Sequence, residues 1–391
     1  MQIKGLKIIN IKVWNEMDTT RLKERIIAYS KEIGIDKIGF TTADPFIELK
    51  DRLRRSQELG YHSGFEKGTI EERTEPKVLF PEAASIISIA VAYPAKMIDS
   101  PKNTKGERRG VFCRASWGKD YHHVLRERLA KLQEFIKQEA PHFDGKLMVD
   151  TGELADKAVA ERAGIGFSAK NTLIITPEFG SYVYLGELIT NIPFEPDTPI
   201  EDGCGDCTIC IDVCPTDAIV QGGQLNSQRC IAFLTQVKDF VPEEFRTKIG
   251  NRLYGCDTCQ AVCPWNKGVD FHLHEEVEPE PELTKPLLKP ILKLSNRQFK
   301  EKYGHMAGSW RGKKPIQRNA IIALGVYKDI TAVDDLIELM YHDPRPAIRG
   351  TAAWSLGKIG SEKAMEALLA LKEKETDEQV RYELESALQE D

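Results

Sequence analysis

Eight of the chain's nine cysteines fall between residues 201 and 270. Four of them, Cys204, Cys207, Cys210 and Cys214, lie in the stretch CGDCTICIDVCP, which ends at Pro215. The spacing is C-x2-C-x2-C-x3-C-P, in which three thiolates bind irons of one cubane and the fourth reaches another cluster. A second run, CDTCQAVCP, supplies Cys256, Cys259 and Cys263 before Pro264, one cysteine short of the usual triplet. Cys230 lies between the runs and makes up the number. Crossover ligation then gives two sets of four. Cys204, Cys207, Cys210 and Cys263 would hold one 4Fe-4S cluster, and Cys214, Cys230, Cys256 and Cys259 the other. Zinc is a competing reading, but zinc ligands usually come as paired knuckles that close locally. A purely structural cluster is another, although two clusters in one compact segment suggest an electron wire. Cys113 stands apart, either as a small buried hydrophobe or as a neighbour of a cofactor.

Clusters pass single electrons, so a terminal acceptor is expected elsewhere in the chain. Residues 17–200 alternate helical and strand patterns, which predicts an α/β domain with a mixed sheet. TTRLKERIIAYSKEIG, KDYHHVLRERLAKLQEFIKQ and LADKAVAERAG read as helices. DKIGFT, SIISIAVAYP, KLMVDTG, NTLIITP and SYVYLGELIT read as strands. This domain has neither G-x-G-x-x-G after a strand nor a phosphate-binding G-x-x-x-x-G-K-[ST]. It also lacks the D-x-H-x-x-G of histidine-ligated cobalamin. Residues 201–270 form the cysteine domain, and residues 271–391 hold a linker or ordered strap followed by repeats. NAIIALG and TAAWSLG recur at a fixed interval in this tail, the pattern of HEAT-type helix pairs. So few repeats are expected to dock on the cysteine domain for support.

With a net charge of −6, the chain is not a wholly basic nucleic-acid binder. A local patch remains available, however, because partners also feel local fields. Arg311, Lys313, Lys314 and Arg318 cluster just before the repeats beside Trp310, and Arg345 and Arg349 fall at a repeat turn. Cations of this kind track phosphates, and an exposed aromatic stacks on an unpaired base. No apolar run approaches the ~20 residues of a membrane span, and no signal peptide is legible, so a cytoplasmic protein is expected. Met17 is the expected start, with residues 1–16 an N-terminal extension.

VDTGELADKAVAERAGIGFSAKNTLIITPEFGSYVYLGEL, RASWGKDYH, the two-cluster run and the repeat tail together resemble the epoxyqueuosine reductases, over essentially all of Met17–Asp391. The resemblance implies an N-terminal α/β cobalamin-binding domain similar to that of reductive dehalogenases, a bacterial ferredoxin-like domain with two 4Fe-4S clusters, and C-terminal α-helical HEAT-like repeats. It implies reduction of an epoxide to an alkene on a tRNA wobble base. It also implies Asp150 as the general acid, a role that calls for a raised pKa. From sequence alone, Asp150 reads more readily as an N-cap or turn aspartate before Gly152. Arg73, Cys113, Asn171, Tyr184 and Leu185 are the candidate cobalamin neighbours. The expected partners are tRNA and a flavodoxin- or ferredoxin-type donor, with the chain a monomer. The alternatives are a cobalamin-dependent reductase of a small molecule, such as a dehalogenase, and a non-catalytic electron carrier.

Overall fold

In the computed structural model, which describes residues 16–150 and 152–389, the spine of the N-terminal domain is β2 (Ser85–Ala92), buried along its whole length. Its sequence SIISIAVA is apolar on both faces, as a strand must be when neighbours and helices enclose it. β1 (Lys37–Thr42) flanks one edge. On the other side come β7 (Val183–Thr190) and then β4 (Gly145–Met148), in the order β1-β2-β7-β4. All three ladders are antiparallel, not mixed. Alternating helices and strands do not fix strand direction, because these connections are long enough to enter the sheet from either end. The helix Tyr121–Glu139 packs on one face of β7, and Asp156–Arg162 on the other face and on β2.

Short strand pairs complete the frame. β5 (Phe167–Ser168) pairs with β6 (Ile174–Ile175), and β8 (Ile219–Gln221) with β9 (Gln224–Leu225). β3 (Val111–Phe112) pairs in parallel with β10 (Arg252–Tyr254), stitching the N-terminal domain to the cysteine region. The proline-rich segment after residue 270 is an ordered strap. Glu276 pairs with Arg128 at 2.5 Å and His274 with Asp36 at 2.8 Å, and Lys119 N donates to Glu276 O. The N-terminal extension expected over 1–16 lies outside the described residues, except Glu16, where the first helix begins.

The repeats form two layers. Lys313–Val326, Pro346–Ile359 and Glu378–Gln389 stack as an inner row, with Val333–His342 and Glu362–Lys372 behind them. The recurring Leu-Gly follows from this close stacking. A Cβ on Gly325 would lie 2.8 Å from Ser355 Oγ, and one on Gly357 2.8 Å from Ala387 Cβ. The inner row docks on the cysteine domain. Ile322 and Trp354 share a core with Phe245 and Ile249, and Asn319 donates to the carbonyls of Thr235 and Leu253. Among the described residues no helix is long and apolar enough to cross a membrane.

A candidate active site beside two cysteine sets

No disulfide forms among the nine cysteines. Cys210 sits electrostatically among Cys204, Cys263 and Cys207, and Cys263 beside Cys207. Cys259 sits among Cys256, Cys230 and Cys214, and Cys230 beside Cys256 and Cys214. The fold thus places Cys204, Cys207, Cys210 and Cys263 in one neighbourhood and Cys214, Cys230, Cys256 and Cys259 in another, and Cys259 also feels Cys210. Burial and the neighbouring thiols push Cys259 up to about 12. Backbone amides oppose this elsewhere: Lys170 N lies 3.5 Å from Cys204 Sγ and Ala218 N 3.3 Å from Cys214 Sγ, and each stabilises sulfur charge. Among the described residues no three His, Cys, Asp or Glu side chains converge on a single-ion site. Thiolates spread over a four-iron cluster have no need to.

Cys113 lies at the junction of this region and the N-terminal domain. Its N–H donates to Tyr254 O at 2.9 Å. Gly255, with φ 71°, lets the chain pass so closely that a Cβ there would lie 2.3 Å from Cys113 Sγ. Cys113, Tyr254, Gly255, Cys256 and Asp257 line a cavity of about 220 Å³. Burial first, then Asp257, raises the Cys113 thiol.

Tyr184 stands next to Cys113 and stacks on Tyr121 at 4.7 Å with 5° between the rings. Its hydroxyl is buried without a hydrogen-bond partner, as is Asn171 Nδ2. Leu185 faces the other way, as Glu187 does. It follows Tyr184 on β7, and alternate residues of a strand face opposite ways, so Leu185 packs with Ala90, Ala160 and Ala163 under the helix Asp156–Arg162. Arg73 lies near Glu66 and Asp156, whose charges partly offset the effect of burial on its guanidinium.

Asp150, two residues past the end of β4, adopts a left-handed conformation, φ 45°, which is uncommon for a residue with a side chain. Its N–H donates to Asp156 Oδ2 at 3.1 Å. Its Oδ2 accepts from Tyr121 Oη at 2.8 Å and lies 3.1 Å from His122 Nε2. Among the protein's own groups, Asp150 is held below the usual carboxylate range. Partial burial acts upward but is outweighed by the hydrogen bonds from His122 and Tyr121. The raised carboxyls are its neighbours. Burial, then the charge of Asp150, moves Asp156 up to about 6, and burial with Asp156 alongside moves Glu187 well up.

The cationic candidates divide. Trp310 is 52% exposed, with its ring edge-on to Phe65, and the Arg311 guanidinium lies 4.9 Å from both ring centres. Lys314 is half-buried, and Lys313 donates to Leu294 O at 2.6 Å. Arg318 is no phosphate ligand: it is 1% exposed, and its guanidinium is spent on the carbonyls of Leu234, Val237 and Asp239. Arg345 pairs with Asp343 at 2.6 Å and Arg349 with Glu375 at 2.9 Å, so both cations serve their own repeats. Sequence reasoning passed over Tyr121, His122, Asp156 and Glu187. The available signal was Asp120, an aspartate at a helix start followed two residues later by a histidine.

The family described as Epoxyqueuosine reductase QueG, DUF1730 matches residues 73–151. A 4Fe-4S double cluster binding domain matches 203–266, and HEAT repeats match 312–389. The chain is 65% identical to the epoxyqueuosine reductase of Bacillus subtilis (strain 168) over 373 residues, covering 95% of this chain and 97% of that protein. Against the epoxyqueuosine reductase of Escherichia coli (strain K12) identity is 33% over 314 residues, covering 79% and 82%. A crystal structure of epoxyqueuosine reductase with an epoxyqueuosine-modified tRNA-Tyr stem loop superposes with TM-score 0.93 at 65% identity, over 95% of this chain and 98% of that one. A Bacillus subtilis structure with its catalytic aspartate loop swung out of the active site superposes with TM-score 0.93 at 64% identity, over 95% and 99%.

Proposed function

The chain belongs to the epoxyqueuosine reductase family, and from that premise we propose that it reduces the epoxide of epoxyqueuosine, at the wobble position of tRNA, to the alkene of queuosine. It is an oxidoreductase that acts on tRNA and carries a double 4Fe-4S domain. In our reading Cys204, Cys207, Cys210 and Cys263 ligate one cluster, and Cys214, Cys230, Cys256 and Cys259 the other. Electrons enter from a flavodoxin- or ferredoxin-type donor and leave toward the N-terminal domain. The continuity of the second cysteine set, Cys113, the tyrosine stack and Asp150 carries this reading.

Cobalamin, when bound, supplies a low-valent cobalt able to attack an epoxide carbon. The residues fit such a group: Tyr184 Oη and Asn171 Nδ2 are buried and unpaired, and a corrin ringed with amides offers them partners. Tyr184 and Asn171 would hold it, with Cys113 adjacent. Asp150 is 56% exposed at its side chain and protonates the departing oxygen. Asp156 pins the Asp150 backbone, and Trp310, Arg311 and Lys314 meet the anticodon loop, where a wobble base is free to splay out. The chain acts as a monomer in the cytoplasm.

The test is anaerobic turnover of epoxyqueuosine-containing tRNA by reconstituted enzyme, with iron and cobalt analysis. Asp150→Asn should abolish product while tRNA binding persists. Full turnover by that variant would refute the acid assignment, and iron binding without cobalamin binding would refute the cofactor assignment.

A further inference from the structure

Converting an epoxide to an alkene consumes two electrons and two protons. Both carbon–oxygen bonds break, a carbon–carbon double bond forms, and the oxygen leaves as water. The electrons come from the low-potential donor through the clusters, and both protons must reach the departing oxygen. Asp150, held as a carboxylate, has no proton of its own to give.

We propose that His122 is the proton store of this site, passing its proton through Asp150 as the substrate oxygen departs and refilling from water, with Asp120 holding the ring in place. The proposal rests on Asp150 being the residue that meets the oxygen.

The geometry is a chain of three groups. His122 Nδ1 lies 2.7 Å from Asp120 Oδ1, and Nε2 lies 3.1 Å from Asp150 Oδ2. An ionised carboxylate only accepts hydrogen bonds, so satisfying both requires both ring nitrogens to donate, which makes the ring an imidazolium. If instead one aspartate is protonated, the proton still resides in the same chain. Exposure orders the chain: the Asp150 side chain is 56% exposed and the ring behind it 18%. The outer group meets substrate and the inner one stores the proton.

The ring is held in place from behind. Asp120 caps the helix Tyr121–Glu139, accepting from His122 N at 3.0 Å, and its own N–H donates to His305 O at 2.7 Å. Tyr121 stacks on His122 at 4.2 Å, and burial with the Asp150 charge keeps its phenol protonated. Tyr121 therefore steadies the carboxylate without competing as an acid.

The titratable groups around this chain are Asp120 and His123 on the same helix, Asp150 with Asp156 and Lys157 behind it, and Tyr254 across the site. Burial disfavours the charged ring, but the hydrogen bonds it donates to Asp120 and Asp150 outweigh that, and His122 rises to about 9. Charging Asp150 is therefore uphill at rest. The far more basic alkoxide forming at the substrate draws it forward.

The experiment combines two readouts on the full cluster-loaded chain. In the first, protein labelled at the histidine ring carbons is titrated by NMR without substrate or cobalamin, and His122 is assigned by its absence in His122→Gln. We expect titration near pH 9, moving down by at least about one unit in Asp120→Asn as one of its two carboxylates is neutralised. Titration at or below the ordinary value of about 6.5 overturns the proposal. In the second, single-turnover product formation is followed against pH. The store is full below its pKa and empties above it, so the wild type should hold its rate through neutrality and fall above about pH 9. His122→Gln should lose roughly 100-fold or more at pH 7, recover as pH falls toward the range of Asp150, and keep its tRNA affinity. A wild-type profile in His122→Gln overturns the proposal while leaving Asp150 intact as the acid. Full turnover by Asp150→Asn fails the underlying reading instead, whatever the histidine titration shows.

Discussion

The helix Glu243–Ile249 of the cysteine domain meets the last repeat helix through one ion pair, whose removal has a calculable cost. The two Arg246 terminal nitrogens each lie 2.6 Å from a Glu383 oxygen, and the side chains are 3% and 1% exposed. Arg246 Nε also donates to Val241 O at 2.9 Å. Glu383→Gln keeps the shape and removes the charge, leaving the guanidinium with neutral acceptors in a dry interface. Breaking a buried pair by removing one partner costs about 3–5 kcal/mol, against a total domain stability of about 5–15 kcal/mol. The repeats should therefore undock or unfold well before the N-terminal sheet. The assay is anaerobic urea denaturation followed by far-ultraviolet circular dichroism and tryptophan fluorescence. The Arg246 guanidinium lies 5.5 Å from the Trp354 ring, so the indole reports on this interface. Replacing both partners, as Arg246→Met with Glu383→Leu, should recover most of the loss, because no uncompensated charge remains. A cost below about 1 kcal/mol for Glu383→Gln, the range of exposed pairs, would refute the argument.

Four further outcomes are expected. Gly325→Ala should destabilise the repeats, although alanine is intrinsically better in a helix by about 1 kcal/mol, because its Cβ would meet Ser355 at 2.8 Å; a raised melting temperature would contradict this. Asp156 has a folded pKa of about 6, above its unfolded value, so its contribution is fully present at low pH and lost as pH rises through that value. Asp156→Asn should flatten the stability profile across that window, as read by melting temperature against pH. Cys207→Ser should lose one of two clusters, lowering bound iron from about eight toward about four per chain; unchanged iron would break the ligand assignment. Lys314→Glu and Arg311→Glu should each weaken tRNA binding and lessen its salt dependence, whereas Arg318→Gln should act on the melting temperature, and the reverse pattern would move the RNA face.

Cysteine spacing alone was enough to show a double-cluster domain, and the proposed division of eight thiols into two sets is read from the run and needs no coordinates. The repeat register was equally legible: a helix that stacks on its own copies repeats its small residue, here Gly325 and Gly357, wherever the next helix approaches. Arg318 shows the limit. In sequence it belongs with Arg311 and Lys314, but only the docked fold reveals that carbonyls of a distant loop consume its guanidinium, since burial depends on what packs against the helix. Asp150 is the sharpest case. The family pattern indicated the residue, but its electrostatics depend on His122 and Tyr121 from another helix and Asp156 from the next one. Side-chain identity is local, whereas pKa is set by the charges and hydrogen bonds that the fold brings within a few ångströms. The sequence therefore determined the kinds of chemistry this chain carries, and the tertiary structure decided which charges and hydrogen bonds surround Asp150.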